Sequence, residues 1–271
     1  MFLAATVGWL LIAGVSRPVD AAGGSTCTLA PTSGTIMRQV DGRRYAVNVP
    51  GGLPGPSAPL LLALHAFIQL PTEHEADTGW SQVASAQHFI VAYPSAELER
   101  GAWDFSQGSR DVAYLRDVVR DISNTWCVDR RHVHAEGHSS GALMAARLAC
   151  DAPDVFASVA VFGGVDPTLL GSPCAPDRPI AIGIFQGLVD PISLFPLAVA
   201  HRSNWLLRNG CPLTPATEPK VVVEASVFGP CRAGVEVVWR VYLGGHLWPA
   251  GADHADITRR MWEFFMRNPL P

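Results

Sequence analysis

Lysine is almost missing from this chain: Lys220 is the single one, and the remaining basic residues are arginines. Charge of either sign is sparse, at 16% of 271 residues, and the net charge is −4. A chain so poor in basic residues carries no electrostatic footprint for nucleic acid. No C-x-x-C pair occurs, which removes zinc knuckles and thioredoxin-like redox motifs. No internal repeat and no long linker divides the sequence. No apolar run reaches the roughly 17–25 residues that a membrane-spanning helix needs. No positive residue stands between Met1 and the first apolar run, and no cysteine follows that run directly, so a lipid anchor is not expected.

What is present is apolar: 48% of residues are hydrophobic, the composition of a compact globular domain that buries a large core. Phe2 to Val15 is an apolar stretch closed by Arg17, Pro18 and Asp20, and it suits a secretory h-region with cleavage near Val19-Asp20-Ala21. Residues 1–21 are therefore expected to be a signal peptide, 22–42 an N-terminal extension, and 43–271 one catalytic domain. The cysteines, Cys27, Cys127, Cys150, Cys174, Cys211 and Cys231, are even in number. With an export segment, that parity favours disulfides over buried thiols, although spacing alone leaves the connectivity open.

Strand and helix patterns alternate along the chain. Strands are expected at Tyr45–Val49, Leu60–His65, Phe89–Tyr93, around His132–Glu136, and at Ser158–Phe162, Ile180–Phe185 and Val235–Tyr242. Helices are expected at Trp80–Gln87, from a cap at Asp111 through Ile122, at Ala142–Cys150 and at Ile257–Met266. Tyr45–Val49 is a short alternating strand and Leu60–His65 a continuous apolar run, as a strand covered on both faces is, and the alternation of strands with helices predicts a mostly parallel sheet joined by helical crossovers.

One stretch, HVHAEGHSSG at 132–141, admits two chemistries. His132, His134 and Glu136 alternate and would share one face of a strand, as metal ligands do. The nearest metallo-hydrolase pattern, H-x-H-x-D-H, fails here because a glycine separates Glu136 from His138, and no second His/Asp cluster follows. His74, between Glu73 and Glu75, is a ligand candidate by composition only, so no metal is expected. The alternative is a nucleophile elbow, Gly137-His138-Ser139-Ser140-Gly141. A strand precedes it, a helix follows, and two glycines flank a turn tight enough to expose the Ser139 hydroxyl. The small residues Ala142, Ala145 and Ala146 keep the helix surface slim against the sheet.

A serine hydroxyl needs a base and an acid to orient that base. Elbow folds supply them in the order Ser, Asp, His. Asp190 leaves the end of the strand 180–185, and His246 follows the strand 235–242. Asp166, one strand earlier, is the rival acid; Asp190 is preferred because the acid follows the later strand. His254 is expected to be a surface histidine at a helix start, and His138 part of the elbow and not a base. Two backbone N–H groups should receive the oxyanion: Ser140, next after the nucleophile, and Phe67, on the loop after the strand 60–65.

Taken in order, LLALHAFIQ, FIVAYPSA, RDVAYLRDVV, VDRRHVHAEGHSSGALMAARLAC, FQGLVDP and GGHLWPAG resemble the secreted esterases that include poly(3-hydroxybutyrate) depolymerases and type 1 feruloyl esterases. The resemblance runs from about Arg43 to the C-terminus. It implies an α/β-hydrolase fold and a triad of Ser139, Asp190 and His246; the stretch from Gly163 to Pro179, with Pro167, Pro173, Pro176 and Cys174, is too short for a large lid. It also implies Trp248 as a wall of the substrate cleft and the disulfides Cys150–Cys174, Cys211–Cys231 and Cys27–Cys127. Its implied activity is hydrolysis of carboxylic esters, polyester or feruloyl-polysaccharide, by a secreted monomer with no cofactor, nucleic-acid partner or membrane anchor. The chain departs from the pattern at Ala66, where glycine is usual, and at Phe67, where cysteine is frequent. It departs again at Arg110-Asp111, in place of an aspartate pair, and at Gly187-Leu188-Val189, in place of Gly-Thr-Ala. The competing classes are a binding protein that kept the fold and a peptidase. The intact triad opposes the first, and the lack of a gating domain opposes the second.

Overall fold

A computed structural model describes residues 27–97, 101–217 and 222–271. The expected signal peptide at 1–21 and its cleavage site lie outside them. The sheet is built from β1 (Thr35–Val40), β2 (Arg43–Asn48), β3 (Ala58–Leu64), β4 (Ile90–Pro94), β5 (Val128–His138), β6 (Ser158–Phe162), β7 (Ala181–Gly187), β8 (Ala216–Thr217), β9 (Glu224–Phe228) and β10 (Val237–Tyr242), in the spatial order β1-β2-β4-β3-β5-β6-β7-β10-β9-β8. The six strands from β4 to β10 in that order run parallel. Antiparallel pairs close both edges. Among the described residues six α-helices accompany them: α1 (Pro71–Thr78), α2 (Trp80–Gln87), α3 (Arg110–Thr125), α4 (Ser140–Asp151), α5 (Phe195–Asn209) and α6 (Ala252–Arg267).

Both sheet faces are buried, which is why the inner strands β3, β4, β6 and β7 are largely apolar. Leu60, Leu62, Leu64, Ile90, Ala92, Val133 and Ala135 face a core shared with α3, α4 and α5. Leu61, Ala63, Val91 and Tyr93 face a second core shared with α2 and α6, where Trp80, Phe89, Trp262 and Phe265 pack. This is the three-layer α/β sandwich expected from the alternating pattern.

Several local expectations change. β1 and the β8–β9 pair are edge elements, α1 is mostly polar, and α5 opens on Phe195-Pro196; none of these stands out in the sequence as a periodic segment. β1 also draws residues 35–40, assigned by sequence to the extension, into the sheet, and Cys27 is tied to Cys127. The cap of α3 is Ser109, whose Oγ accepts from the Val112 N–H, and not Asp111. Asp111 instead accepts from the Asp104 N–H and pairs with Arg43, far away in sequence. A serine and an aspartate both suit a cap, and only the tertiary partner Arg43 decides between them.

The three disulfides are Cys27–Cys127, Cys150–Cys174 and Cys211–Cys231, the pairs implied by the resemblance. Cys211 and Cys231 are 20 positions apart and clasp the loop carrying β8 and β9. Closing such a loop stabilises the folded state by about 3 kcal/mol in the chain-entropy account. Cys211→Ser with Cys231→Ser is expected to lower the urea-unfolding free energy by that order, and non-reducing peptide mapping should recover the pair linked. An unchanged urea midpoint would refute the stabilising role.

The 163–179 segment, which leads from β6 to β7, holds one turn of 3-10 helix at Pro167–Leu170. Cys174 pins it to α4, and so does Arg147. The fully buried guanidinium of Arg147 donates to Ser172 Oγ at 3.0 Å and to the Pro173 carbonyl at 2.7 Å. This segment is therefore fastened to the body of the domain.

Candidate active site

The elbow is a backbone construction. Ser139 has φ 54° and ψ −114°, a strained conformation for a residue with a side chain. Its N–H donates to the Phe162 carbonyl at 2.9 Å, which ties the turn to the neighbouring strand. The flanking glycines are dictated by contact. A Cβ on Gly137 would lie 2.1 Å from the Gly141 carbonyl oxygen, and one on Gly141 would lie 2.0 Å from that of Leu64. Thus α4 starts in main-chain contact with the ends of β3 and β5, and Ser139 is lifted above the carboxyl edge of the sheet.

Three chain segments converge there. His246 Nε2 lies 2.8 Å from Ser139 Oγ, and His246 Nδ1 lies 2.8 Å from Asp190 Oδ2. The carboxylate only accepts, so Nδ1 carries the ring proton and Nε2 is left to accept from the serine hydroxyl. Asp190 is nearly fully buried, and its Oδ1 accepts from the N–H groups of Ile192 and Ser193, both at 2.8 Å. Gly163 supports the His–Asp pair from beneath. At φ +62°, a Cβ there would stand 3.2 Å from His246 Nδ1 and 3.3 Å from Asp190 Oδ2. Such a chain of hydrogen bonds can move a proton from the hydroxyl to the imidazole and stabilise the imidazolium that forms.

Asp166, the rival acid, is engaged elsewhere. It caps the 3-10 turn through the Thr168 N–H and forms an ion pair with Arg208. His138 donates from Nε2 to the His246 carbonyl at 2.7 Å, which holds the backbone of His246. His254 lines the cleft and donates to the Asp77 carbonyl. The alternating residues of β5 have separate partners: His132 takes Asp129, His134 takes Ser158 and stacks on Phe265, and Glu136 accepts from His74 and Trp80. Among the described residues no group of three or more His, Cys, Asp or Glu is arranged to hold a metal ion.

The loop after β3 is fixed by contacts that the sequence does not reveal. His65 Nε2 accepts from the Ala96 N–H, so Nδ1 carries the proton and donates to the Ala66 carbonyl. The Ala66 N–H is taken by Gln69 Oε1, which removes it as an oxyanion donor. Trp103 links the loop after β3 to the start of α4: its indole N–H donates to the His65 carbonyl and its backbone N–H to Ser140 Oγ. An isolated tryptophan in a loop carried no motif by which sequence could find this role. Ala66, unlike the glycine usual there, has no positive φ; the left-handed residue of this loop is Ile68, at φ 60°.

Ser139 opens into a cleft of about 770 Å³ whose lining includes Phe67, Ile192, His246, Leu247, Trp248 and Asp77. Trp248 thus lies on the cleft wall, with its ring 6.1 Å from that of His74.

Burial keeps several histidines neutral. It lowers His65, His138 and His201 to about 4 from 6.5, and His134 well below 6.5. The unfolded chain takes up these protons near pH 6.5, whereas the folded chain resists them until about 4. Their contribution to stability is complete above 6.5 and is lost as pH falls toward 4. Urea unfolding followed from pH 7.5 to 4.5 should show stability falling with a slope of roughly two or more protons. A flat profile would contradict neutral burial.

No family model matches the chain. It is 28% identical over 276 residues to feruloyl esterase C of Emericella nidulans, covering 98% of this chain and 99% of that protein. It is 31% identical over 126 residues to poly(3-hydroxyalkanoate) depolymerase C of Paucimonas lemoignei, covering 43% of this chain and 30% of that one. The chain spans about a third of the length of the bifunctional acetylxylan esterase/xylanase of Neocallimastix patriciarum, to which it is 26% identical over 82% of its own length. Among solved structures, the acetyl xylan esterase of Aspergillus awamori superposes with a TM-score of 0.70 at 18% identity, covering 85% of this chain and 99% of that one. The chain is a relative of the feruloyl esterases, acetylxylan esterases and polyhydroxyalkanoate depolymerases, carboxylic ester hydrolases, and it has the α/β-hydrolase fold.

Proposed function

We propose that the protein is an exported serine hydrolase that cleaves carboxylic esters through an acyl-enzyme, with Ser139 as nucleophile, His246 as base and Asp190 as the acid that orients it. One observation carries this reading: the unbroken hydrogen-bond chain from Asp190 through His246 to Ser139. Ser139 Oγ attacks the ester carbonyl while His246 Nε2 takes its proton. The N–H groups of Ser140 and Phe67 receive the oxyanion, the first strengthened by its position at the start of α4. His246 then returns the proton to the leaving alcohol. Water, activated by the same imidazole, releases the acyl group and regenerates the serine.

The apolar walls formed by Phe67, Ile192, Leu247 and Trp248 favour a bulky, weakly polar ester such as a polyester. A feruloyl or acetyl ester of plant polysaccharide is the second reading, supported by the likeness to feruloyl esterase C along almost the whole chain. Three disulfides support an extracellular location. Among the described residues no helix is long and apolar enough to cross a membrane. The direct test is labelling with a fluorophosphonate probe. Stoichiometric labelling is expected, and Ser139→Ala should abolish it. Equal labelling of the variant would refute the assignment.

A further inference from the structure

The cleft beside Ser139 is short of positive charge. Its polar lining includes Gln69, Asp77, His138, His246 and His254, and no arginine or lysine stands among the lining residues. Two carboxylates act on it. Asp190 is buried behind His246 and committed to it. Asp77 is exposed on the wall and belongs to no part of the hydrogen-bond chain that ends at Ser139. His138, which burial lowers to about 4, brings no charge near neutral pH.

Asp77 is held in place. The Ala66 N–H donates to Gln69 Oε1, which orients the amide so that Gln69 Nε2 donates to Asp77 Oδ2 at 2.7 Å. The Asp77 carbonyl accepts from His254 Nε2 at 2.8 Å. Among the described residues nothing donates to Oδ1 and no ion pair reaches the carboxylate. It also stands in the last turn of α1, which contains no basic residue. Unpaired carbonyls make a helix C-terminus partly negative, so an acid there is unfavourable. Stability is a poor reason for an unpaired acid at a position that penalises it. A task toward what enters the cleft is a better one.

Apolar walls concentrate the field of such a charge within the cleft. We propose that Asp77 is a specificity-determining residue that sets the charge of the ester the site takes. Uncharged and cationic esters are accepted, and esters bearing a carboxylate within reach of the cleft are disfavoured. The disfavoured class includes half-esters of dicarboxylic acids and the acid end of a hydroxy-acid oligomer. This inference rests on the assignment of Ser139 as an ester nucleophile.

The test compares esters matched in shape and different in charge. Methyl hydrogen succinate, an anion, is set against neutral methyl levulinate, and butyrylcholine, a cation, against neutral dimethylbutyl butyrate. Values of kcat/KM are measured by proton release for wild type, Asp77→Asn, Asp77→Glu and Ser139→Ala. Asparagine keeps an oxygen that accepts from Gln69 and removes the charge. At an ionic strength of about 10 mM, Asp77→Asn should raise the anionic-to-neutral ratio and lower the cationic-to-neutral ratio, each by roughly three- to tenfold. The gap between the two proteins should close at about 0.5 M salt. Asp77→Glu should keep the wild-type ratios. A purely structural role for Asp77 would change the rates of all the esters together and leave the ratios alone, and that result overturns the proposal. So do wild-type ratios indifferent to salt, a measurement that needs no variant. Neutral-ester hydrolysis that persists in Ser139→Ala refutes the assigned nucleophile, a result separate from the charge ratios.

Discussion

Ser139→Ala and His246→Ala should each reduce ester turnover by about five to six orders of magnitude, and the double variant should be hardly slower than either. The reason is geometric. The hydroxyl is useful only while Nε2, at 2.8 Å, can take its proton, and without the hydroxyl no acyl-enzyme forms for the imidazole to resolve. Removing either group removes the same step. Residual turnover would come from the cleft and the oxyanion donors, which both variants keep. Single-turnover rates with a soluble ester, measured on variants with wild-type thermal midpoints, decide the matter. Losses that multiply in the double variant would mean that the residues act independently, and the mechanism would fail.

Asp190→Asn separates the two candidate acids. An amide at 190 can present N–H to His246 Nδ1 and so favour the wrong tautomer, with Nε2 protonated and unable to accept from Ser139. A loss in kcat of about three to four orders of magnitude is expected, with KM little changed. Asp166→Asn should leave kcat within a few-fold, since its carboxylate serves Thr168 and Arg208. It should instead lower stability, because the Arg208 guanidinium, 17% exposed, loses its counter-charge. The reverse pattern, a dead Asp166 variant and an active Asp190 variant, would move the acid to the segment after β6.

These two residues also show what a sequence discloses. The elbow was legible because its requirements are local: two glycines at fixed spacing, a strand before and a helix after. Asp190 and His246 were legible because each follows a strongly apolar strand, and strand ends define the active edge of a parallel sheet. The supporting contacts were not legible, because their partners are remote. Glu136, three residues before the nucleophile, looked like half of a metal site. It lies instead between His74 and Trp80, 62 and 56 positions away. Asp111 looked like a helix cap until Arg43 claimed it. Trp103, which joins the His65 loop to Ser140, had no local pattern around it. Chemistry borne by one turn of backbone is written contiguously; chemistry borne by packing is written in pieces that only the fold collects.

The contact of α4 with β3 and β5 through bare backbone has a mechanical consequence. Side-chain interfaces are compliant: a methylene lost from a core leaves room for neighbours to settle and for the elements to slide by tenths of an ångström. Where peptide meets peptide, as at Gly137, Gly141 and the Leu64 carbonyl, nothing soft lies between the parts. Ser139 is therefore mounted on a rigid joint, while the core below acts as upholstery. Substitutions in the α3 or α6 layers should change how many molecules are folded at a given temperature and leave the rate of each folded molecule nearly untouched. Thermal tolerance and turnover become separately adjustable properties of the same chain.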